Sequence, residues 1–431
     1  MSFPGHPRRF PLPDRVGEYG DRRAFEQCRK ESGQWVFWED RVELVLAGRY
    51  DEVRPLHIEL SPTYLCNFAC PWCSCRAARE DWSDEDVFHH PLATPRTVMA
   101  WEKIDRVLRH LAADRVAIMW VGGEPTMNPL LYPAACRAHE LGLQQCLFTN
   151  GSLFNEKRID ALLDANLVFI RVSLDAATDK VHQVHHGYQA RRGYAEKVKQ
   201  GLALLLRRRI ETGAKTLIGV SIVVDECNLG DLVPTAQYLR LLCDEFGPGA
   251  VDYLIIRPVY QFYTSQVQLG DTTRSRLYEM VRAGAQVAKI LESCGVRVVA
   301  PEESFTDPVR EPELDEGERC LSCGWFSEVT ANGDMVLCSD RYGNPDYFIG
   351  NLAVHGLEEL WDGERRREVL RSVEQTSCFR RQCPRNGRGF QLNRVFHRIE
   401  RFRREGRIAE VRAWIDDLRR VLARPSHPFF L

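Results

Sequence analysis

The sequence predicts an α/β protein: a parallel sheet of successive βα units, followed by a smaller cysteine-rich α+β module. Three observations carry that reading. Short apolar runs alternate with helical segments from residue 56 to about 300, the pattern of parallel strands joined by crossover helices. The alternation stops at a charged linker, Pro301 to Glu318, after which short strands, turns and cysteines take over. At 431 residues the chain is also too long for one small domain and suits a barrel with an appended module.

Residues 1 to about 33 are rich in Pro, Gly and charge, with Pro4, Pro7, Pro11 and Pro13 spaced so that no helix starts before roughly Gly17. They read as an arm or lid. Trp35, Phe37 and Trp38 lead into an amphipathic stretch, Arg41 to Ala47. The expected strands are His57 to Leu60, Val116 to Val121, Gln145 to Thr149, Val168 to Leu174, Leu217 to Val224 and Tyr253 to Ile256. Helices are expected between and after them, at Val98 to Leu111, Pro129 to Leu141, Glu156 to Leu163, Ala195 to Arg209, Asp231 to Phe246 and Arg274 to Ser293. Six βα units fall short of the eight that close a barrel. The resulting division is 1–55 for the arm and first helix, 56–300 for the partial barrel, 301–390 for the module and 391–431 for a C-terminal helix. That basic helix, with Arg394, Arg398, Arg401, Arg403 and Arg404 among Val395, Phe396, Ile399 and Phe402, reads as packed on its own protein and ended by Pro425 and Pro428.

Composition excludes several function classes. With 58 basic and 60 acidic residues the formal charge is -2, so there is no basic footprint for nucleic acid. No apolar run reaches the length of about 18 residues needed for a membrane span, and the first residues lack a signal core. A soluble, cytoplasmic protein is expected. Of the 15 cysteines, eight stand in two compact groups with ligand-like spacing, which suits a reducing compartment. Cys28, Cys136, Cys146, Cys227, Cys243 and Cys294 read as small buried hydrophobes.

The first group lies in Ser61 to Cys75, SPTYLCNFACPWCSC, where Cys66, Cys70 and Cys73 have three and then two residues between them. Three thiolates at a strand-to-loop transition suit three corners of an iron-sulfur cube and leave the fourth iron open. A zinc knuckle is the alternative, although zinc usually wants four closed ligands. The spacing, with Trp72 before the last cysteine, resembles the radical S-adenosylmethionine (radical SAM) superfamily. The resemblance implies a partial (β/α)6 TIM-like barrel, a 4Fe-4S cluster on Cys66, Cys70 and Cys73, and S-adenosylmethionine (SAM) chelated at the open iron. It also implies reductive cleavage of SAM to a 5'-deoxyadenosyl radical, fed by an electron donor such as flavodoxin or ferredoxin.

Chemistry in parallel α/β folds collects at the C-terminal ends of the strands. After the second strand, Gly122-Gly123-Glu124-Pro125 resembles the family's GGEP motif. Two glycines let backbone approach a ligand, and Glu124 can accept from the ammonium of SAM. Alone, such a tetrapeptide is only a turn. Asn150 follows the third strand where a polar ligand group would sit. On the fourth, alternation sets Arg171, Ser173 and Asp175 on one face. The resemblance implies SAM contacts for Ser173 and Asp175, whereas Asp175 as a turn cap is the plain alternative. Gly219, inside a β-branched run, suits close approach of an adenine. Arg257 at the end of the sixth strand binds a carboxylate or forms a surface ion pair. His182, His185 and His186 read as solvated loop histidines, with a metal site as the alternative.

The second group begins at Cys320-Leu-Ser-Cys323. Asn332-Gly333 between alternating apolar residues signals a hairpin that brings Cys323 near Cys338. Gly350-Asn351-Leu352, Leu357 to Trp361, then Cys378 and Cys383 follow. This order resembles the SPASM auxiliary-cluster module, or its shorter twitch version. Five cysteines support one auxiliary 4Fe-4S cluster with four of them as ligands, which favours twitch; a four-thiolate zinc site is the alternative.

The resemblance implies hydrogen-atom abstraction from an unactivated C-H of the substrate, then oxidation, dehydration or epimerisation. Because little chain precedes the first strand, the expected substrate is a small polar metabolite such as a sugar or aminocyclitol in natural-product biosynthesis. The alternative is a peptide or protein maturase. Cys75 reads as a passive thiol rather than a hydrogen donor. A non-catalytic sensing protein would require every motif match to be coincidence.

Overall fold

The computed structural model describes residues 33–73, 98–187, 193–259, 274–300, 319–341, 344–375, 378, 383 and 388–421. The expectations for the first 32 residues, Cys28, Cys75, the linker and the terminal prolines lie outside these.

Seven strands run parallel and in chain order: β1 (His57–Leu60), β2 (Ala117–Trp120), β3 (Gln145–Thr149), β4 (Phe169–Ser173), β5 (Leu217–Val224), β6 (Tyr253–Pro258) and β7 (Arg297–Val299). The six expected strands are present, and β7, only three residues long, was not expected. The helices α1 (Glu39–Leu46), α2 (Trp101–Ala113), α3 (Leu131–Glu140), α4 (Glu156–Asp164), α5 (Asp179–His185), α6 (Tyr194–Thr212), α7 (Leu232–Phe246) and α8 (Arg274–Leu291) precede, link or follow these strands.

Apolar stripes hold helices such as α2, α4 and α7. In α2 the buried residues Ile104, Val107, Leu108 and Leu111 recur at helical spacing, and burial stabilises by about 1.5–3 kcal/mol per side chain of this kind. Alternate strand residues divide the core. Ile118, Trp120, Leu147, Ile170, Val172, Val220 and Ile222 belong to the main core, whereas Met119, Cys146, Phe169, Tyr253 and Ile255 form a second cluster from the opposite strand positions. Strands apolar on both faces are what a covered parallel sheet requires.

The cysteine module joins this sheet. Its strand β8 (Phe326–Val329) pairs parallel with β1, His57 opposite Phe326 and Leu60 opposite Val329. The expected hairpin follows, with β9 (Asp334–Val336) antiparallel to β8 and β10 (Phe348–Asn351) antiparallel to β9, giving one ten-stranded sheet. Helices α9 (Leu357–Trp361) and α10 (Glu364–Gln375) come next.

The first and last described segments are brought together. Trp35, Val42, Val45 and Tyr50 pack with Trp325, Phe396, Phe402 and Trp414 in a separate core, with Trp35 edge-on to Phe396 at 5.3 Å. The single C-terminal helix expected from the sequence is two helices, α11 (Arg388–Arg404) and α12 (Ile408–Val421). Gly406 breaks it at φ 73°, where Arg407 N–H closes back on the Phe402 carbonyl at 2.8 Å, a left-handed cap that ends a helix. Among the described residues no helix is long and apolar enough to cross a membrane.

Candidate functional site

The loop leaving β1 carries Cys66, Cys70 and Cys73, none of them in a disulfide. Cys73 N–H donates to the Cys70 carbonyl at 3.1 Å, and Phe68 N–H points to Cys66 Sγ at 3.4 Å. Two neighbours fix the loop. One is the turn after β2: Gly123 N–H and Glu124 N–H donate to the carbonyls of Thr63 and Leu65 at 3.0 and 2.7 Å. A Cβ on Gly123 would stand 2.2 Å from the Leu65 carbonyl oxygen, and one on Gly122, at φ 114°, 2.7 Å from that of Thr63. These glycines therefore admit the cysteine loop itself. Pro125 is buried in the same turn.

Glu124 is buried and its carboxylate accepts from Thr126 N–H, Thr126 Oγ1, Thr149 Oγ1 and Asn150 N–H at 2.5 to 3.1 Å. Burial pushes its carboxyl above the usual range against those bonds. So engaged, it ties the end of β2 to the end of β3. Asn150 joins the same network, donating to Asn67 Oδ1 at 2.9 Å while its own oxygen accepts from Ser152. Asn67 lies inside the cysteine loop.

The other neighbour is α5. His182, His185 and His186 are not solvated loop residues: all three are buried, on α5 and at its end. The histidines are themselves the face that packs α5 against the loop, whereas Val184 of the same helix is exposed. Phe68 packs on His186 at 4.8 Å and on His182 at 5.3 Å, and Trp72 packs on His185 at 5.2 Å. His186 Nδ1 lies 3.0 Å from Cys70 Sγ, and its Nε2 faces Asp175 Oδ2 at 3.4 Å. Burial drives His186 well below its usual range, which favours the neutral imidazole, and raises Asp175 to about 6. Burial likewise lowers His182 to about 4.

Asp175, just past β4, also accepts from Val223 N–H on β5 at 2.6 Å. Ser173 is half-buried beside Ser221 in register. Arg171 stands deeper, boxed by Phe148, Phe169 and Tyr253, with Nε donating to the Tyr253 hydroxyl at 3.2 Å. The space at Gly219 is taken by that same Tyr253, whose ring would lie 2.0 Å from an added Cβ; the neighbour is a side chain of β6 rather than an adenine. Arg257 is half-buried near the end of β6, within electrostatic range of Asp175.

Sequence reasoning missed two features. Glu59 and Glu328 are register neighbours on β1 and β8; Glu328 accepts from Ser61 Oγ at 3.0 Å, and burial followed by Glu59 pushes its carboxyl well up. A charge inside each short apolar strand was the available signal. Cys227, expected as a buried hydrophobe, is exposed at the rim beside His185 and Asp225 because it follows the end of β5.

In the second group Cys320, Cys323, Cys338, Cys378 and Cys383 converge from three segments. Cys338 lies within electrostatic range of Cys320 and Cys378, and Cys383 of Cys320, Cys338 and Cys378. The Cys323 hydrogen bond, above all, lowers Cys320 to about 6, with Asn393 Nδ2 at 3.4 Å assisting. Burial raises Cys338 and Cys383. Arg341 Nη2 reaches Cys378 Sγ at 3.2 Å. The candidate ligands of both groups are thiols, and three on one loop with a corner to spare suit an iron-sulfur cube, whereas zinc usually takes four closed ligands.

Comparison with known proteins agrees with this geometry. Residues 60–235 match the model of the radical SAM superfamily, and residues 318–384 match that of the SPASM iron-sulfur cluster-binding domain. PqqA peptide cyclase of Ruegeria pomeroyi is 28% identical over 326 residues, covering 71% of this chain and 74% of that protein. GTP 3',8-cyclase of Staphylococcus carnosus is 30% identical over 189 residues, 43% of this chain; the chain spans about half, 52%, of that relative. The crystal structure of Streptococcus suis SuiB bound to its precursor peptide SuiA shares the fold, with a TM-score of 0.52 at 15% identity over 76% of this chain and 69% of SuiB.

Proposed function

We propose that this chain, which belongs to the radical SAM superfamily and carries a SPASM module, modifies a peptide or protein by hydrogen-atom abstraction. One observation carries the reading. The similarity to PqqA peptide cyclase is too long to be confined to residues 60–235, whereas the GTP-cyclizing relative matches over a length close to that segment. The leaning toward a small polar metabolite, drawn from the short chain before β1, yields to that difference.

In this reading Cys66, Cys70 and Cys73 hold the SAM-binding 4Fe-4S cluster. Trp72 and the histidines of α5 pack the loop from behind. Glu124 holds Asn150 beside the loop, and Asn150, Ser173, Asp175 and Arg257 would bind the polar groups of SAM. Four of the five SPASM cysteines hold one auxiliary 4Fe-4S cluster. When bound, the first cluster and SAM supply a 5'-deoxyadenosyl radical, and the auxiliary cluster supplies an electron sink. The protein's own work is to orient the substrate C-H and keep water out. Electrons come from a donor such as flavodoxin or ferredoxin, in the cytoplasm.

The test is anaerobic turnover with dithionite and SAM, screening peptides encoded by neighbouring genes against sugars and aminocyclitols. Deuterium should pass from a labelled peptide into 5'-deoxyadenosine, with a matching mass change in the peptide. Transfer from a sugar or aminocyclitol and from no peptide would restore the metabolite reading.

A further inference from the structure

We propose that His185, Asp225 and Cys227 form a third metal site, for a single zinc-type cation, at the mouth of the barrel. The three residues come from two elements that chain order does not join: His185 ends α5, and Asp225 and Cys227 follow β5. Their donor atoms nevertheless all lie within 4.8 Å of one another, and among the described residues this is the set that does so.

The distances have the right size. With zinc bonds of about 2.0–2.1 Å to nitrogen or oxygen and about 2.3 Å to sulfur, tetrahedral ligands stand about 3.3 Å (N to O) and about 3.5 Å (N to S) apart. His185 Nδ1 is 3.3 Å from Asp225 Oδ2 and 3.4 Å from Cys227 Sγ. The convergence also argues against a nucleophilic triad. There the base bridges thiol and carboxylate through its two different nitrogens, whereas here both face Nδ1.

The donor types agree. One thiol, one imidazole and one carboxylate form a mixed set that suits zinc better than hard cations, which prefer all-oxygen sites. The site is also braced. Asp225 Oδ1 accepts from Cys227 N–H at 2.8 Å and from Asn228 N–H at 3.3 Å, which aims Oδ2 at His185. Three protein ligands with Cys227 exposed to solvent leave a fourth position open, the form of zinc sites that bind water or an exchangeable ligand.

The site is independent of the peptide reading, and its test reads metal rather than turnover. The full chain, purified anaerobically with its iron-sulfur centres, is dialysed against zinc and then against zinc-free buffer, and zinc and iron are counted. The wild type should keep about one zinc per chain, and Cys227→Ala and Asp225→Asn should each bind it at least about tenfold more weakly. Iron content should be unchanged, which separates a folded variant from a failed one; Cys227→Ser replaces Cys227→Ala if iron falls. Zinc absorption spectroscopy should give one sulfur with nitrogen and oxygen neighbours. A wild type without zinc, zinc undiminished in both variants, or a sulfur-only environment would overturn the proposal.

Discussion

The two cysteine groups serve the same element by opposite construction. Cys66, Cys70 and Cys73 share one loop whose contacts are backbone amides and the rings of α5. The SPASM cysteines are gathered from residues 320 to 383 and are braced by side chains from elsewhere, Asn393 on α11 and Arg341. One loop supplies three thiols and leaves a corner for a ligand. Three segments supply five and leave none open. On the proposed function, chemistry would take place at the first, and the second would pass or store charge.

The largest effect should come from the group without a spare. Changing Cys66, Cys70 or Cys73 to Ala should cut 5'-deoxyadenosine formation by more than about a hundredfold, beyond what loss of a supporting residue costs; wild-type turnover in any of them would erase the contrast. Next, the five SPASM cysteines should divide unequally when changed singly to Ala. Four variants should lose the auxiliary iron and one should keep it, as read by iron content and electron paramagnetic resonance. Uniform loss would mean that no thiol is spare.

Smaller effects should separate the supports. His186→Ala removes the imidazole from Cys70 and should lower SAM cleavage by about 10–100-fold with iron retained, and shift the potential of the first cluster only. Asn393→Ala should shift only the auxiliary one. A shift at both centres in either variant would show that the supports are shared.

The smallest effect is a pH slope confined to the barrel site. Burial raises Asp175 from 3.8 to about 6, so its ionisation opposes folding. That cost is absent below about pH 3.8, grows as pH rises through 6 and is constant above. Between pH 5 and 7.5 the wild type should lose about 1–2 kcal/mol of stability that Asp175→Asn does not, measured by chemical denaturation. Parallel curves would mean that Asp175 titrates normally.

Local features were legible in the sequence and long-range ones were not. Six strands, the loop spacing of Cys66, Cys70 and Cys73, and the Asn332-Gly333 hairpin each lie within one short window. β7 has too few residues to show a period. The burial of His182, His185 and His186 depends on a loop more than a hundred residues earlier in the chain, and the partners of Gly122 and Gly123, Thr63 and Leu65, also lie far outside any local window. Gly219 announced a close approach, and only the register of β5 with β6 supplied Tyr253 as its cause. Gly406 was readable as a helix stop, had the basic stretch around it not been taken as continuous.

The pairing of β8 with β1 has a practical consequence for anyone dissecting this protein. A fragment cut before Cys320 would bare one side of His57–Leu60, a row of unsatisfied amides and carbonyls beside Ile58 and Leu60. Such a margin recruits strands from other molecules. Expression of the shortened chain should yield aggregates or exchanged dimers, so neither half is a separable enzyme.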